Sequence, residues 1–290
     1  MVIKDKHDIS DAINRSAKSI INEKFSGGPK GTRIQIVDHD TGEVLQEVHN
    51  KIMVPGSQLV ACKTFGLEAV VDLPSYNKEL GLERSVYRES IQPQNEPIVC
   101  LFAVGKGGYL SSPNEVLVTA TTDRIEPDEL IPFRYLPLNS DLERDQRDDY
   151  FGRKVNEEDS TVTYYFKKPS TQPQLHVRYL DGTEVTNKMY EIDSSQNVEV
   201  YVEFRLDVNR LDCRDWIDKV GGWEESSCIS TLSLLYAWYT NEVANPDADE
   251  AAQYTYRYYQ DILPFSKVNF RDESLQDLSR ALEFIYQIYY

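Results

Sequence analysis

Apolar residues near the start of the chain recur every three or four positions. Asp8 is a candidate N-cap, and the residues after it place one apolar stripe on an otherwise polar helix of about four turns. Glycine and proline then interrupt the pattern at residues 27–31. The spacing predicts an N-terminal helical arm, residues 1–31, that packs on its own domain or docks on a neighbouring subunit. The stripe consists of Ile9, Ile13, Ala17 and Ile20.

After residue 31 the period of the apolar positions shortens to two, the spacing of a β-strand. Residues 33–48 predict a β-hairpin in which Gly42 is available for a positive φ, and a short helical pattern follows at residues 57–65. Residues 97–104 are continuously apolar, which is typical of a strand buried on both faces. Further strands are predicted at residues 161–166, 198–206, 229–238, 254–258 and 282–290.

Short strands separated by turn signals, with few helices, predict a mainly β fold. We interpret it as a β-sandwich with an N-terminal helix and an inserted hairpin region. The composition indicates where the insertion lies, because residues 139–159 are rich in charged side chains and a predicted local hairpin follows them. The predicted organisation is therefore the helical arm, a sandwich core formed by residues 32–138 and 196–290, and an insertion at residues 139–195.

Charge and composition argue against several classes of partner. The chain has 290 residues and a formal net charge of −17, which argues against nucleic acid because each phosphate contact needs a local cation. The longest apolar runs fall far short of the roughly 20 residues that span a bilayer. We therefore expect neither nucleic acid nor a membrane as a partner. The 19 tyrosines suit broad sheet faces and protein interfaces.

No pattern in the sequence predicts catalysis. The glycine-rich segment at residues 105–108 follows an apolar strand but lacks the Ser or Thr that a phosphate-binding loop places after its lysine. The four cysteines and four histidines do not occur at metal-ligand spacing, and acidic clusters near residues 207–215 and 247–250 lack the order of a calcium loop. We therefore expect no enzyme activity, no cofactor, no metal and no small-molecule substrate.

Several segments, taken in order, resemble a group of tailed-bacteriophage virion proteins found in baseplate wedges and fibre-attachment pieces. One is the apolar strand at residues 97–104 with its Gly-x-Gly ending, followed later by Thr122, Asp123 and Arg124. The strand at residues 229–236 is similar to one that often reads I-S-E-L-G-L in the group, although Thr231 and Ser233 depart from that pattern. The remaining matches are residues 41–45 with 49–52, and residues 264–270.

The resemblance implies a structural protein of the phage virion, in the baseplate or tail periphery, assembled in the host cytoplasm. Its expected partners are other virion proteins and copies of itself. The resemblance implies no catalytic residues in the chain. An alternative is a receptor- or carbohydrate-binding module, in which Trp216, Trp223 or Trp238 would stack on sugar rings; a hydrolase is a third possibility without local support. The candidate interface residues are Ile9, Ile13, Ala17, Ile20, Tyr254, Tyr256 and Tyr258.

Overall fold

The strands and the helix are seen in a computed structural model of the chain. The predicted N-terminal helix lies outside the residues that the structure describes. The described residues are 31–67, 97–105, 108–112, 115–118, 130–131, 133–137, 149–157, 160–185, 197–213, 228–244, 254–275 and 280–290.

The described part of the chain contains fourteen strands, one helix of twelve residues and a short helical turn at residues 210–213. The helix, α1, is Val54–Phe65. The strands are β1 Gly31–Asp38, β2 Val44–Ile52, β3 Ile98–Gly105, β4 Tyr109–Ser112, β5 Glu115–Val118, β6 Leu130–Ile131, β7 Arg134–Pro137, β8 Tyr150–Glu157, β9 Ser160–Lys167, β10 Gln174–Tyr179, β11 Val198–Asn209, β12 Cys228–Ala244, β13 Tyr254–Ser274 and β14 Ala281–Tyr289. The prediction of a mainly β fold is confirmed.

The hairpin of β1 and β2 forms where the alternating pattern predicts it. The Asp38 carboxylate accepts hydrogen bonds from the backbone N–H and the hydroxyl of Thr41, each at 3.0 Å. Gly42 has φ 70°, a left-handed conformation that other residues adopt only with strain. These local interactions close the turn and set the register of the two strands.

Antiparallel pairing joins twelve of the described strands into one sheet. Their order is β10-β11-β14-β1-β2-β13-β12-β3-β9-β7, with β6 paired to β3 and β8 paired to β9. β4 and β5 form a separate two-stranded hairpin. The pairing between two neighbouring strands is very short at one place, because β2 and β13 pair only at Ser266↔Ile52 and Lys267↔Lys51. The sheet therefore divides into one half from β10 to β2 and another from β13 to β7.

The two halves of the sheet share one hydrophobic core, which we call the main core. The rings of Phe102 in β3 and Tyr286 in β14 lie 6.0 Å apart between their centroids, although the two strands belong to different halves. Phe270 in β13 and Phe284 in β14 make a similar contact at 5.7 Å. The two halves thus face each other across buried side chains. Other members of the main core are Ile34, Ile36, Phe204, Leu206, Leu232 and Leu234.

β3 is buried on both faces, as its continuous apolar run predicts. Phe102 and Val104 face the main core. Leu101 and Ala103 face a smaller second core on the other side of the strand, together with Phe151 from β8. Because neither face of β3 contacts water, every side-chain position in its middle is apolar.

The helix α1 is fixed to β13 at its first turn. The backbone N–H of Met53 donates to the carbonyl of Phe265 at 2.9 Å, and the carbonyl of Cys62 accepts from the N–H of Gly66, the left-handed C-cap. Gly56 lies so close to β13 that a Cβ atom there would approach the Phe265 carbonyl oxygen to 2.2 Å. The helix therefore needs glycine at this position to pack as it does.

Strands from the predicted insertion lie at or next to both ends of the strand order. β9 pairs with β3 at Phe102↔Lys167 and with β7 from Arg134↔Tyr165 to Pro137↔Val162. β10 pairs with β11 at the opposite end. The segment at residues 139–195 therefore extends the same sheet that the predicted sandwich core forms.

Candidate interaction surface

Strands β12 and β13 extend together beyond the rest of the sheet. β3 pairs with β12 only as far as Ala237, and β2 pairs with β13 only at Ser266 and Lys267. Beyond these points, residues 238–244 pair with residues 254–260 and with no other strand in the described part of the chain. We call this two-stranded segment the ribbon; at about 3.4 Å per residue it is roughly 20 Å long.

Aromatic contacts hold the base of the ribbon against β8. The Phe151 ring meets those of Tyr258 and Tyr259 edge-on, with centroids 5.7 Å and 5.1 Å apart. Tyr239 lies 6.2 Å from Tyr259 on the neighbouring strand, and the guanidinium of Arg257 lies 4.7 Å from the centre of the Tyr239 ring. The base is therefore anchored in the second core.

The part of the ribbon farther from the sheet carries exposed side chains on both strands. Val243 is 47 % exposed. A two-stranded hairpin without a third strand or a packed face is only marginally stable in water, so this segment gains from an additional contact. The exposed positions are Thr240, Asn241, Glu242, Val243, Thr255 and Arg257.

The structure brings one of the two predicted sets of interface residues together. Tyr254, Tyr256 and Tyr258 occupy alternate backbone positions of β13 within the ribbon. The pairing between β12 and β13 is regular there, with no bulge between Tyr254 and Gln260. The other predicted set, Ile9, Ile13, Ala17 and Ile20, lies outside the described residues.

The tryptophans do not form an exposed aromatic platform in the described part of the chain. Trp238 is only 5 % exposed, and its ring packs edge-on against Tyr236 of the main core at 5.6 Å. Its indole face is therefore occupied by the protein itself. Trp216 and Trp223 lie outside the described residues.

A charged network that the sequence analysis missed covers the outer face of the half from β10 to β2. Arg33 of β1 donates to Glu47 of β2 at 2.6 Å. Arg205 of β11 donates to Glu203 and to Glu283 of β14, both at 2.9 Å. The bonds to Glu47 and Glu283 join neighbouring strands on a partly exposed surface, and the bond to Glu203 lies within β11. The polar positions of the alternating pattern indicate an exposed polar face. Which charged side chains pair on that face depends on the order of the strands in the sheet.

Aromatic and cationic side chains lie beside this network. The His176 ring of β10 stacks on Tyr201 of β11 with centroids 4.9 Å apart, and Tyr289 lies 5.1 Å from Tyr201 on the other side. Arg178 lies over the Tyr201 ring at 5.4 Å and donates to Glu184 at 2.6 Å. The outer face is thus a packed polar and aromatic layer rather than a row of separate solvated side chains.

A buried ion pair joins β9 to the turn that follows β11. Lys167 Nζ lies 2.7 Å from Asp212 Oδ2, and both side chains are less than a tenth exposed. The Tyr150 hydroxyl donates to Asp212 Oδ1, and the backbone N–H of Asn209 donates to Oδ2 at 2.8 Å. Both carboxylate oxygens are therefore satisfied by the protein, which favours a structural role for this cluster.

The described cysteines form no disulfide with one another and are largely buried. Burial raises the pKa of the Cys100 thiol to about 12 and also raises that of Cys213 above its ordinary value. Both side chains therefore stay protonated near neutral pH, which makes them poor nucleophiles and poor metal ligands. Within the described ranges no group of three His, Cys, Asp or Glu residues could hold a metal ion.

Comparison with known proteins identifies no relative. No family model, no curated protein and no solved structure matches the chain. Among the described residues, no helix has the length and apolar character needed to cross a membrane.

Proposed function

We propose that this protein is a structural component of a tailed-bacteriophage virion, placed in the baseplate or tail periphery. It acts through protein–protein contacts with other virion proteins and with copies of itself. The observation that carries the proposal is the ribbon, residues 238–244 and 254–260, which extends beyond the sheet with exposed side chains on both strands. Such a segment offers both strand edges and exposed side chains to a neighbouring subunit.

The construction of the ribbon supports a role in assembly. Its base is anchored by contacts of Tyr258 and Tyr259 with Phe151, so a partner would bind a segment whose direction is already fixed. Aromatic residues are enriched in protein interfaces because a flat ring gives a large contact area at low entropic cost. The net charge of −17 would keep free subunits apart before assembly.

The alternative of a carbohydrate-binding module finds less support. Sugar recognition by stacking needs an exposed aromatic face, and Trp238 packs against Tyr236 inside the main core. The proposal assigns no catalytic role to the chain. It is carried by the resemblance to virion proteins together with the shape of the ribbon.

Mass spectrometry of purified phage particles tests the proposal. Particles from a phage that encodes this chain should contain it in a fixed ratio to the major tail protein, and antibody labelling should mark the tail end. A matched preparation of tail-less heads, purified in parallel, should lack the chain. Its absence from intact particles, when the same lysate contains the free protein, would overturn the proposal.

A further inference from the structure

We propose that Lys167 and Asp212 become joined by a covalent amide between their side chains, an internal isopeptide bond. The bond links β9 to the turn that follows β11 and closes a loop of chain between residues 167 and 212. The ion pair described above is the state of the two side chains before they react. The inference goes beyond the proposed function and does not depend on it, because it concerns the chemistry of one buried pair.

The first reason is the position of the amine relative to the carboxyl group. Nζ of Lys167 lies 2.7 Å from Oδ2 of Asp212. The carboxyl carbon is about 1.2 Å from that oxygen, so Nζ lies within about 4 Å of the atom that it attacks. The backbone N–H of Asn209 donates to Oδ2 at 2.8 Å, and the N–H of Asp212 donates to Asn209 Oδ1 at 3.1 Å. These bonds hold the carboxyl group in place, which gives the reaction a high effective concentration.

The second reason is the exclusion of water from the pair. The rings of Tyr150 and Tyr165 are buried and meet edge-on with their centroids 6.2 Å apart, and Nζ of Lys167 lies 5.5 Å from the centre of the Tyr150 ring. Burial disfavours charged forms, so it lowers the cost of moving a proton from the ammonium to the carboxylate. The neutral amine that results has the free electron pair that bond formation needs.

The third reason is a hydrogen-bond donor aimed at the oxygen that remains. The Tyr150 hydroxyl donates to Oδ1 of Asp212. Negative charge develops on a carboxyl oxygen when a nucleophile bonds to the carboxyl carbon, and a donor already in place stabilises that charge. Tyr150 is therefore positioned to promote the attack of Lys167 on Asp212.

The reaction is a condensation that needs no further reactant. The ammonium of Lys167 gives one proton to Oδ2 of Asp212, and the electron pair left on Nζ forms the bond to Cγ. Oδ2 takes a second proton from the nitrogen and leaves as water with the electrons of the Cγ–Oδ2 bond. Nζ keeps one hydrogen, and Oδ1 becomes the carbonyl oxygen of the amide and keeps its bond from Tyr150. Nothing is oxidised or reduced, and both side chains lose their charge.

The bond joins the two halves of the sheet. β9 belongs to the half from β13 to β7, whereas the turn that carries Asp212 follows β11 in the half from β10 to β2. A cross-link that closes a long loop lowers the entropy of the unfolded chain. The reacted protein should therefore unfold at a higher temperature than chains in which the bond has not formed.

The intact mass of the purified full chain tests the proposal. We expect a mass about 18 Da below that of the sequence, the loss of one water. Peptide mapping should recover one branched peptide that contains both Lys167 and Asp212. A folded chain with the full mass, whose map shows Lys167 and Asp212 in separate linear peptides, would overturn the inference. The same result in purified phage particles would leave the proposed function standing.

Two lysine variants separate this bond from other modifications. Lys167→Arg keeps a cation beside Asp212, but the guanidinium does not lose its proton, so this variant should have its full mass. Lys168→Arg is the matched control: it makes the same change at the next, partly exposed position and should lose water as the parent does. Loss of water from Lys167→Arg to the same extent as from Lys168→Arg would contradict the assignment.

Tyr150→Phe tests the role of the hydroxyl without removing either reacting group. The variant should react at least about tenfold more slowly, because the charge on Oδ1 is no longer stabilised by a donor. The fraction of chains that have lost water, followed by mass spectrometry at successive times after a pulse of synthesis, measures both rates. Equal rates in the variant and the parent would contradict the proposed mechanism.

Discussion

Lys167 and Asp212 form a buried ion pair, with Nζ and Oδ2 2.7 Å apart, between β9 and the turn that follows β11. β9 arises from the predicted insertion, whereas β11 lies in the predicted sandwich core. The pair therefore fastens the segment at residues 139–195 to the rest of the protein by a contact that excludes water.

Removing one member of this pair should destabilise the protein strongly. Lys167→Met leaves the Asp212 carboxylate buried without its cation, a change that typically costs about 3–5 kcal/mol. The double variant Lys167→Met/Asp212→Leu should recover only part of the loss, because no unpaired charge remains but the Tyr150 hydroxyl and the Asn209 N–H lose their acceptor. Urea unfolding measures both free energies. As a control, Arg33→Met breaks the partly exposed pair with Glu47 and should cost less than about 1 kcal/mol. Equal costs at the two sites would show that Asp212 is solvated.

Phe284 should be among the most sensitive positions of β14. Its side chain is fully buried, and its ring lies 5.7 Å from that of Phe270. Truncation to alanine typically costs about 3–5 kcal/mol, a large part of a domain's net stability. Glu283→Ala, one residue away on the partly exposed face, should cost about 1 kcal/mol or less, since it removes only the bond from Arg205. Thermal unfolding and soluble yield of the two variants check the difference.

The stability of the protein should depend on pH through Glu47. The hydrogen bond from Arg33 holds the pKa of the Glu47 carboxyl below its ordinary value of 4.5. The unfolded chain therefore binds a proton before the folded protein does as the pH falls. The contribution of Glu47 is fully present above its ordinary pKa and is lost as the pH falls through the lower pKa of the folded state.

Glu47→Gln removes the titrating group and isolates this effect. The free energy of unfolding of the variant should change less steeply than that of the parent between about pH 5 and about pH 3. Denaturant titrations at several pH values across this range measure the two slopes. Parallel slopes would mean that the bond from Arg33 does not persist in solution.

Gly56 should tolerate no side chain. A Cβ atom there would lie 2.2 Å from the Phe265 carbonyl oxygen, a backbone atom that cannot move without disturbing β13. Gly56→Ala should therefore destabilise the protein by about 1–3 kcal/mol, even though alanine is the better helix former. Ser57→Ala, at the exposed next position of α1, should be nearly neutral. A Gly56→Ala variant as stable as the parent would show that α1 can separate from β13.

Strands can be predicted from the sequence where the local alternation of apolar and polar residues alone determines them. Residues 282–286 alternate between buried and partly exposed positions, and Leu282, Phe284, Tyr286 and Ile288 all lie inside as their spacing predicts, while Gln287 is buried as well. The two-residue spacing also places Tyr290 on this face, but Tyr290 is 42 % exposed because it lies beyond the end of β14, although its N–H still donates to the carbonyl of Val200 in β11 at 2.9 Å. A two-residue period fixes a face only while the strand lasts.

Features that join distant parts of the chain could not be predicted in this way. Nothing in the local sequence of Lys167 or Asp212 indicates that the two residues meet, since their contact depends on where β9 lies in the sheet. The alternating pattern does not predict the ribbon either, because the side chains of a strand alternate in the same way whether one or two strands pair with it. The alternation of tyrosines at residues 254–258 indicates a strand. Only the observed strand pairing shows that this strand extends beyond the rest of the sheet.

The position of β14 has a consequence for synthesis. This strand follows all the other described strands along the chain, yet it lies between β1 and β11 and supplies Phe284 and Tyr286 to the main core. A nascent chain that stops before residue 281 therefore leaves β1 and β11 with open edges and the core incomplete, which slows folding and exposes the chain to aggregation. Chains cut short by premature termination would fail to fold, so the order of the strands restricts the folded state to chains translated through β14.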